Sequence, residues 1–188
     1  MPKDSTDVID VLTTDHGEMR DLIGEIKAAS DPDRRRDLAD TLIAEIMRHA
    51  VAEEMYVYPA IEDHVPDGAK KVDDDKREHQ EIVEVLKGIE DADADDPSFV
   101  RRIARLEELL DHHIADEEGD QFPELRAHIP QATLVELGKK VESAKKLAPT
   151  RPHPLAPHSE LFHKMVGPGV GMIDRLRDRL TGRNTDAR

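Results

Sequence analysis

The chain has no cysteine and no tryptophan, and aromatic residues make up only 3% of its 188 positions. Without thiols there can be no disulfide, iron–sulfur cluster, thiolate zinc site or cysteine nucleophile, so any metal must be held by nitrogen and oxygen. No apolar run is long enough to span a bilayer, and the opening MPKDSTDVID lacks the apolar core of a signal peptide; the cytoplasm is therefore the expected location. Basic charge is also scarce, with 27 Lys and Arg against 42 Asp and Glu, a net −15. The deficit is uneven. Residues 139–188 hold 11 basic and 5 acidic residues, a net +6, which leaves 16 and 37, a net −21, in residues 1–138. A body so acidic disfavours nucleic acid as a partner, because phosphate contacts need a basic surface. The basic tail is expected to dock back on that body. What remains is rich in Ala, Leu, Ile, Glu, Lys and Arg, the composition of an all-α chain.

The dominant feature is a stretch written twice. Residues 49–59 read HAVAEEMYVYP and residues 113–123 read HIADEEGDQFP, an offset of 64. His49, Glu53 and Pro59 align with His113, Glu117 and Pro123; further on, His64 and Pro66 align with His128 and Pro130. Residues four apart lie one above the other on a helix, so each copy presents an imidazole and a carboxylate on one face. One such pair arises easily by chance. Two in register, with matching flanks, indicate duplication and a shared purpose.

Taken in order, the spacing predicts a first helix from about Ser5 to Ala29, with Val8, Leu12, His16, Met19, Ile23 and Ile26 on its inner stripe. Asp31-Pro32-Asp33 starts a second helix whose inner face carries Leu38, Leu42, Ile46, His49, Glu53 and Tyr56. It is expected to run to about Glu62 with a bend or break at Pro59. His64 and His128 read as caps at helix C-termini rather than ligands. Gly68 opens a third helix with Val72, His79, Ile82 or Val83, Leu86 and Ile89 inward. The acidic stretch at 91–97 lacks the glycine and closing glutamate of a calcium loop and reads as a plain connection. A fourth helix from about Pro97 puts Phe99, Ile103, Leu106, Leu110, His113 and Glu117 inward and turns His112 toward a helix interface or solvent.

Each half is thus a helical hairpin bearing a lone His and then a His/Glu pair. Two such hairpins pack as an up-down-up-down four-helix bundle, bringing His16, His49, Glu53, His79, His113 and Glu117 to one level of the core. A single inward histidine is usually just a satisfied core residue. Four of them with two buried carboxylates need a cation to compensate the charge. Mixed imidazole and carboxylate donors suit iron or manganese better than magnesium or calcium. If both Glu bridge two octahedral ions, the six side chains fill about eight of roughly twelve positions, and an oxo or hydroxo bridge about two more. About two exchangeable positions remain, enough for O2, peroxide or nitric oxide to bind. A zinc hydrolase would need a positioned base such as that of HExxH, which is absent.

The order His, HxxxE, His, HxxxE, with EE followed by the aromatic–proline pairs Tyr58-Pro59 and Phe122-Pro123, resembles the hemerythrin HHE cation-binding domain, and actinobacterial hemerythrin-like proteins in particular. The resemblance spans about residues 5–130. It implies a non-haem di-iron centre, two iron ions bridged by oxo or hydroxo and by carboxylate, with the six residues above as ligands. It also implies reaction with hydrogen peroxide or nitric oxide in oxidative and nitrosative stress, of catalase-like or NO-peroxidase-like type. The O2-carrying members have five histidine ligands where this chain has four and Glu117. Tyr56, three residues after Glu53, is expected on the ligand face as a ligand, hydrogen-bond donor or core-edge aromatic. No catalytic residue is expected beyond these.

The expected division is a di-iron bundle over 1–130 and an extension over 131–188. The extension reads as a helix over Gln131–Leu147, a Pro-rich strap over 149–158, and a short amphipathic helix over Val170–Leu180 with Ile173, Leu176 and Leu180 on one side. His153, His158 and His163 read as loop histidines. The tail is expected to pack on the bundle, with homodimerisation through it as the alternative. The rival function is a non-catalytic sensor or carrier of O2, NO or iron.

Overall fold

The computed structural model describes residues 6–152, 168–183 and 185; the part of the Pro-rich strap beyond Pro152, with His153 and His158, lies outside them, as does His163. Among these residues every regular element is helical. Four long helices form the bundle: α1 (Val8–Ala28), α2 (Pro32–Ala52), α4 (Gly68–Glu90) and α5 (Pro97–Asp116). Each packs on two neighbours, α1 on α2, α2 on α4, α4 on α5 and α5 on α1, which closes the four into a square. Short α3 (Tyr58–His64) and α6 (Phe122–His128) continue α2 and α5. Beyond them lie α7 (Gln131–Lys145) and α8 (Pro168–Thr181).

The starts of these helices follow from side chains that accept orphan backbone N–H groups. Asp7 accepts from Ile9 and Asp10, and Asp10 returns the bond to the Asp7 backbone, a capping box. Asp31 and Asp96 cap α2 and α5, each followed by a proline whose missing N–H costs nothing in the first turn. Between α3 and α4 the chain reverses at Asp67, in the left-handed conformation with φ 56°. Gly68 follows against the Ile61 carbonyl, where a Cβ would have no room.

The expected break at Pro59 takes a different form. Pro59 has no N–H, and in an α-helix its ring would strike the carbonyl of residue 55. The helix widens instead into one π turn over Glu53–Val57, with the Tyr58 N–H bonded to Glu53 O five residues back. The second copy repeats this over Glu117–Gln121, with the Phe122 N–H bonded to Glu117 O ahead of Pro123. Each π turn begins at the glutamate of the duplicated motif. Such single-turn bulges change the register of everything downstream.

The core is layered. One apolar cluster, including Leu22, Leu42, Leu86 and Leu106, fills the end of the bundle near the 29–31 and 91–96 connections. A second, including Leu12, Tyr58, Ile61, Phe122 and Val141, fills the other end. Between them lies a buried polar layer made of His16, His49, Glu53, Glu54, His79, His113 and Glu117.

The extension adds two helices. α7 packs on α1, α2 and the first π turn, and it comes so close that a Cβ on Gly138 would press on the backbone of Asp7 and Val8. α8 docks in the opposite sense from the one its amphipathic pattern suggests. Asp174 and Asp178 are buried, accepting from Thr150 and Arg151, while Ile173, Leu176 and Leu180 are 65%, 56% and 79% exposed. Ion pairing, not apolar burial, fixes this helix.

Candidate metal centre

The six side chains singled out by the repeat all meet in the polar layer. The Nε2 atoms of His16 and His49 face one another at 3.3 Å, and those of His79 and His113 at 3.2 Å. The carboxylates lie between these two pairs. Glu117 places Oε2 3.2 Å from His16 Nε2 and Oε1 3.5 Å from His113 Nε2, so one carboxylate spans both pairs. Glu53 Oε2 lies 3.1 Å from His49 Nε2 and 3.5 Å from His79 Nε2. Two donor groups result, His16–His49–Glu53–Glu117 and Glu53–His79–His113, each within the span of one ion and sharing Glu53.

These contacts are close but do not satisfy the groups. Both oxygens of Glu53 and Oε2 of Glu117 are buried without an aligned hydrogen-bond donor, an arrangement that costs free energy unless a cation sits among them. The same demand appears in the protonation of the histidines. Burial opposes charge on His49, but Glu53 and Asp15 outweigh it and push its pKa up to about 10. Burial likewise opposes charge on His79, and Glu53 and Glu54 push it up to about 10. Burial would raise Glu53, yet His49 and His79 hold its carboxyl well below its usual value. A metal ion would replace those protons as the compensating charge.

The outer ring nitrogens show a second order. Every Nδ1 meets a carboxylate: His16 with Glu118 at 2.8 Å, His49 with Asp15 at 3.2 Å, His79 with Glu54 at 3.3 Å and His113 with Glu78 at 2.8 Å. Donation from Nδ1–H fixes the tautomer that leaves Nε2 free to bind an ion, the usual support for a metal-binding histidine. Sequence reasoning missed all four, although each adjoins one of the six converging side chains: Asp15-His16, Glu78-His79, Glu53-Glu54 and Glu117-Glu118. The arrangement also follows the duplication. Asp15 and Glu78 support the histidine of their own hairpin, while Glu54 and Glu118 reach across to the other.

Tyr56 takes the core-edge position rather than one in the polar layer. It is half-buried at the margin of the second apolar cluster, and Tyr58 takes the inward position because the π turn adds a residue to the register. The Tyr58 ring stacks on His79 at 5.5 Å, as Phe122 stacks on His16 at 5.8 Å in the other half. Only Tyr58 adds a hydroxyl, 3.1 Å from His79 Nε2. Burial, then Glu53 and Glu117, hold that phenol well above its usual pKa, so the hydroxyl stays neutral and keeps its proton. A further departure from symmetry is Asp75, which accepts from Gln121 at 2.8 Å. Burial and the nearby Glu117 push its pKa up to about 7, against the opposing effect of Gln121. His112 is 65% exposed, beside Glu78 and Asp116.

The imidazoles also border a cavity of about 10 Å³, closed by Met19, Ile46, Ala50, Ile82, Leu110 and Ile114. That is room for about one water-sized molecule. Met19, Leu110 and Ile114 also line a second cavity of about 30 Å³ that extends to Arg20, Glu107 and Asp111.

A hemerythrin-like protein of Schizosaccharomyces pombe is 31% identical over 176 residues, 93% of this chain and 87% of that protein. A DNA nickase of Nostoc sp. is 23% identical over 144 residues, 76% of this chain but only 40% of that protein. No solved structure shows a significant match. The Hemerythrin HHE cation binding domain family matches residues 7–125, the span that supplies all six converging side chains and the carboxylates behind them, and the chain is a member of that family.

Proposed function

We propose that this chain is a non-haem di-iron protein that consumes hydrogen peroxide or nitric oxide. The observation that carries this reading is the pair of donor groups sharing Glu53 and spanned by Glu117, with no thiolate and with unaligned buried oxygens at their centre. Nitrogen–oxygen donors of this kind suit iron, and bound irons would supply the electron transfer that peroxide or nitric oxide reduction requires. His16 and His49 would hold one ion and His79 and His113 the other, with Glu53 and Glu117 between them.

The rest of the chemistry belongs to the chain. The cavity beside the imidazoles has room for about one water-sized molecule, so only a very small ligand would fit there without displacing side chains. Tyr58 keeps a neutral hydroxyl on the His79 side, where it could donate a proton or hydrogen bond to a bound molecule. Asp75, close to neutral in its titration and with Oδ2 unpartnered, can hold a proton near the centre. Nucleic-acid cleavage, the activity named for the Nostoc relative, fits less well with a net charge of −21 over residues 1–138.

The test is turnover. Iron-loaded protein should evolve O2 from peroxide, or consume peroxide in the presence of nitric oxide, over many cycles, and His79→Ala should abolish it. Stoichiometric binding without turnover would favour the second reading, a sensor or carrier of O2, NO or iron. The outward apolar face of α8 favours that alternative, since a sensor needs a surface that responds. In that case ligand binding should change oligomeric state or hydrogen exchange in α8.

A further inference from the structure

The duplication makes the two halves of the centre nearly alike, so the places where they differ show what this chain has added. Asp15 and Glu78 are equivalent: each precedes the lone histidine of its hairpin, and each accepts from the Nδ1 of the paired histidine, His49 or His113. Their surroundings are not equivalent. Asp15 is 6% exposed, and its second oxygen accepts from Lys145 Nζ at 2.5 Å. Glu78 is 23% exposed, and its second oxygen meets His112 at 3.4 Å, an imidazole that is itself 65% exposed. One carboxylate is neutralised by a fixed ammonium in a largely buried setting, and the other faces water.

Lys145 is the last residue of α7, beyond the 7–125 span that matches the family. Its position is fixed by α7 packing on α1 and α2 and by the close approach of Gly138 to Asp7 and Val8. It also lines a surface cavity of about 470 Å³ with Arg48, Glu142, Lys146 and Arg175. The relay Lys145–Asp15–His49 therefore runs from the protein surface to one side of the centre only.

We propose that Lys145 is a positioning residue that makes the two ions inequivalent: through Asp15 it weakens the electron donation of His49 and makes the ion held by His16 and His49 the more easily reduced. The physical reason is direct. A carboxylate accepting Nδ1–H pulls on that proton and makes Nε2 a stronger donor, which favours the oxidised ion. A cation on the far oxygen of that carboxylate withdraws charge and reverses part of the effect. Coulomb attraction across a buried contact is screened far less than at the surface, so the ammonium is felt at the ring. Among the described residues Glu78 meets no ammonium or guanidinium group, only the exposed His112 imidazole.

This inference rests on the di-iron reading, and its test separates the two. In the full-length, iron-loaded protein, a redox titration should resolve two one-electron steps. Lys145→Met, which keeps the stem and removes the charge, should shift the higher step down and leave the lower one in place, and Lys145→Arg should restore the wild-type gap. Both steps moving together, or neither moving, would overturn the proposal even if peroxide turnover were normal. Conversely, wild-type protein that shows the two steps but no turnover would sink the proposed function and leave this inference standing. A second readout needs no iron: in the apoprotein, Lys145→Met should shift the ring nitrogen resonances of His49 and leave those of His113 unchanged. Equal shifts at both rings, or none, would contradict the one-sided relay.

Discussion

At the scale of single residues, the centre is set by which atoms lack a partner. The oxygens of Glu53 and Oε2 of Glu117 are buried without aligned donors while four Nε2 atoms converge on them. With His49 and His79 pushed up to about 10, both rings carry protons near neutral pH when no metal competes. Metal uptake at pH 8 should then release about two protons per chain, and apparent affinity should fall as the pH is lowered; titration in weakly buffered solution measures both. The same shifts fix the sign for the apoprotein. These histidines are raised above their usual 6.5, so their stabilising contribution is fully present below about 6.5 and is lost as the pH rises through about 10. Tyr58 is the residue that breaks the symmetry of the ring stacks. Tyr58→Phe recreates the Phe122 environment and should leave the fold and metal content intact while lowering peroxide turnover at least about tenfold, the scale of losing one positioned proton donor.

At the scale of elements, the helix starts carry much of the definition. Asp7 is 1% exposed; it caps α1 and accepts from Arg126 and from Gln131, the first residue of α7. Asp7→Ala should cost about 2 kcal/mol, read as a lower denaturation midpoint, because it removes a cap and leaves the buried Ile9 N–H unpaired. The long helices and all six central side chains were legible in the sequence, because stripes at steps of three and four name the buried face directly. The π turns were not. Pro59 announced a local failure of α-helical bonding, but a proline alone does not say whether the helix bends, breaks or widens. That ambiguity moved the tyrosine by two positions, from Tyr56 to Tyr58. The aromatic–proline pair, repeated as Phe122-Pro123, was the signal that could have resolved it. The four supporting carboxylates were hidden for another reason. A residue next to one of the six central side chains points roughly 100° away on an ideal helix, and only the crossing of neighbouring helices brings it back to a ring nitrogen.

At the scale of the whole molecule, an acidic bundle carries a basic extension that it holds by specific pairs. α7 rests on α1 and α2 and sends Lys145 to Asp15. α8 is held by a buried network in which Asp178 joins Arg151 and Arg183, and these reach Glu90 and Asp40. Asp178→Ala would remove the carboxylate that joins the two guanidinium groups, leaving Arg151 with Glu90 and Arg183 with Asp40, and losing one partner of a buried network is destabilising. The expected outcome is local: faster hydrogen exchange across residues 168–181 with metal binding unchanged. Apolar spacing placed Ile173, Leu176 and Leu180 on one side of this helix but did not say which side faces the bundle; the acidic residues between them, Asp174 and Asp178, have partners there. Among the described residues no helix is long and apolar enough to cross a membrane.

The central claim is that two ions share one pair of carboxylates, and metal analysis of protein from iron-supplemented cells tests it most directly. The account predicts about two irons per chain in the wild type and loss of both in Glu53→Ala, since that carboxylate lies between both histidine pairs. One ion per chain, zinc in place of iron, or a Glu53→Ala variant that still holds two irons would contradict it.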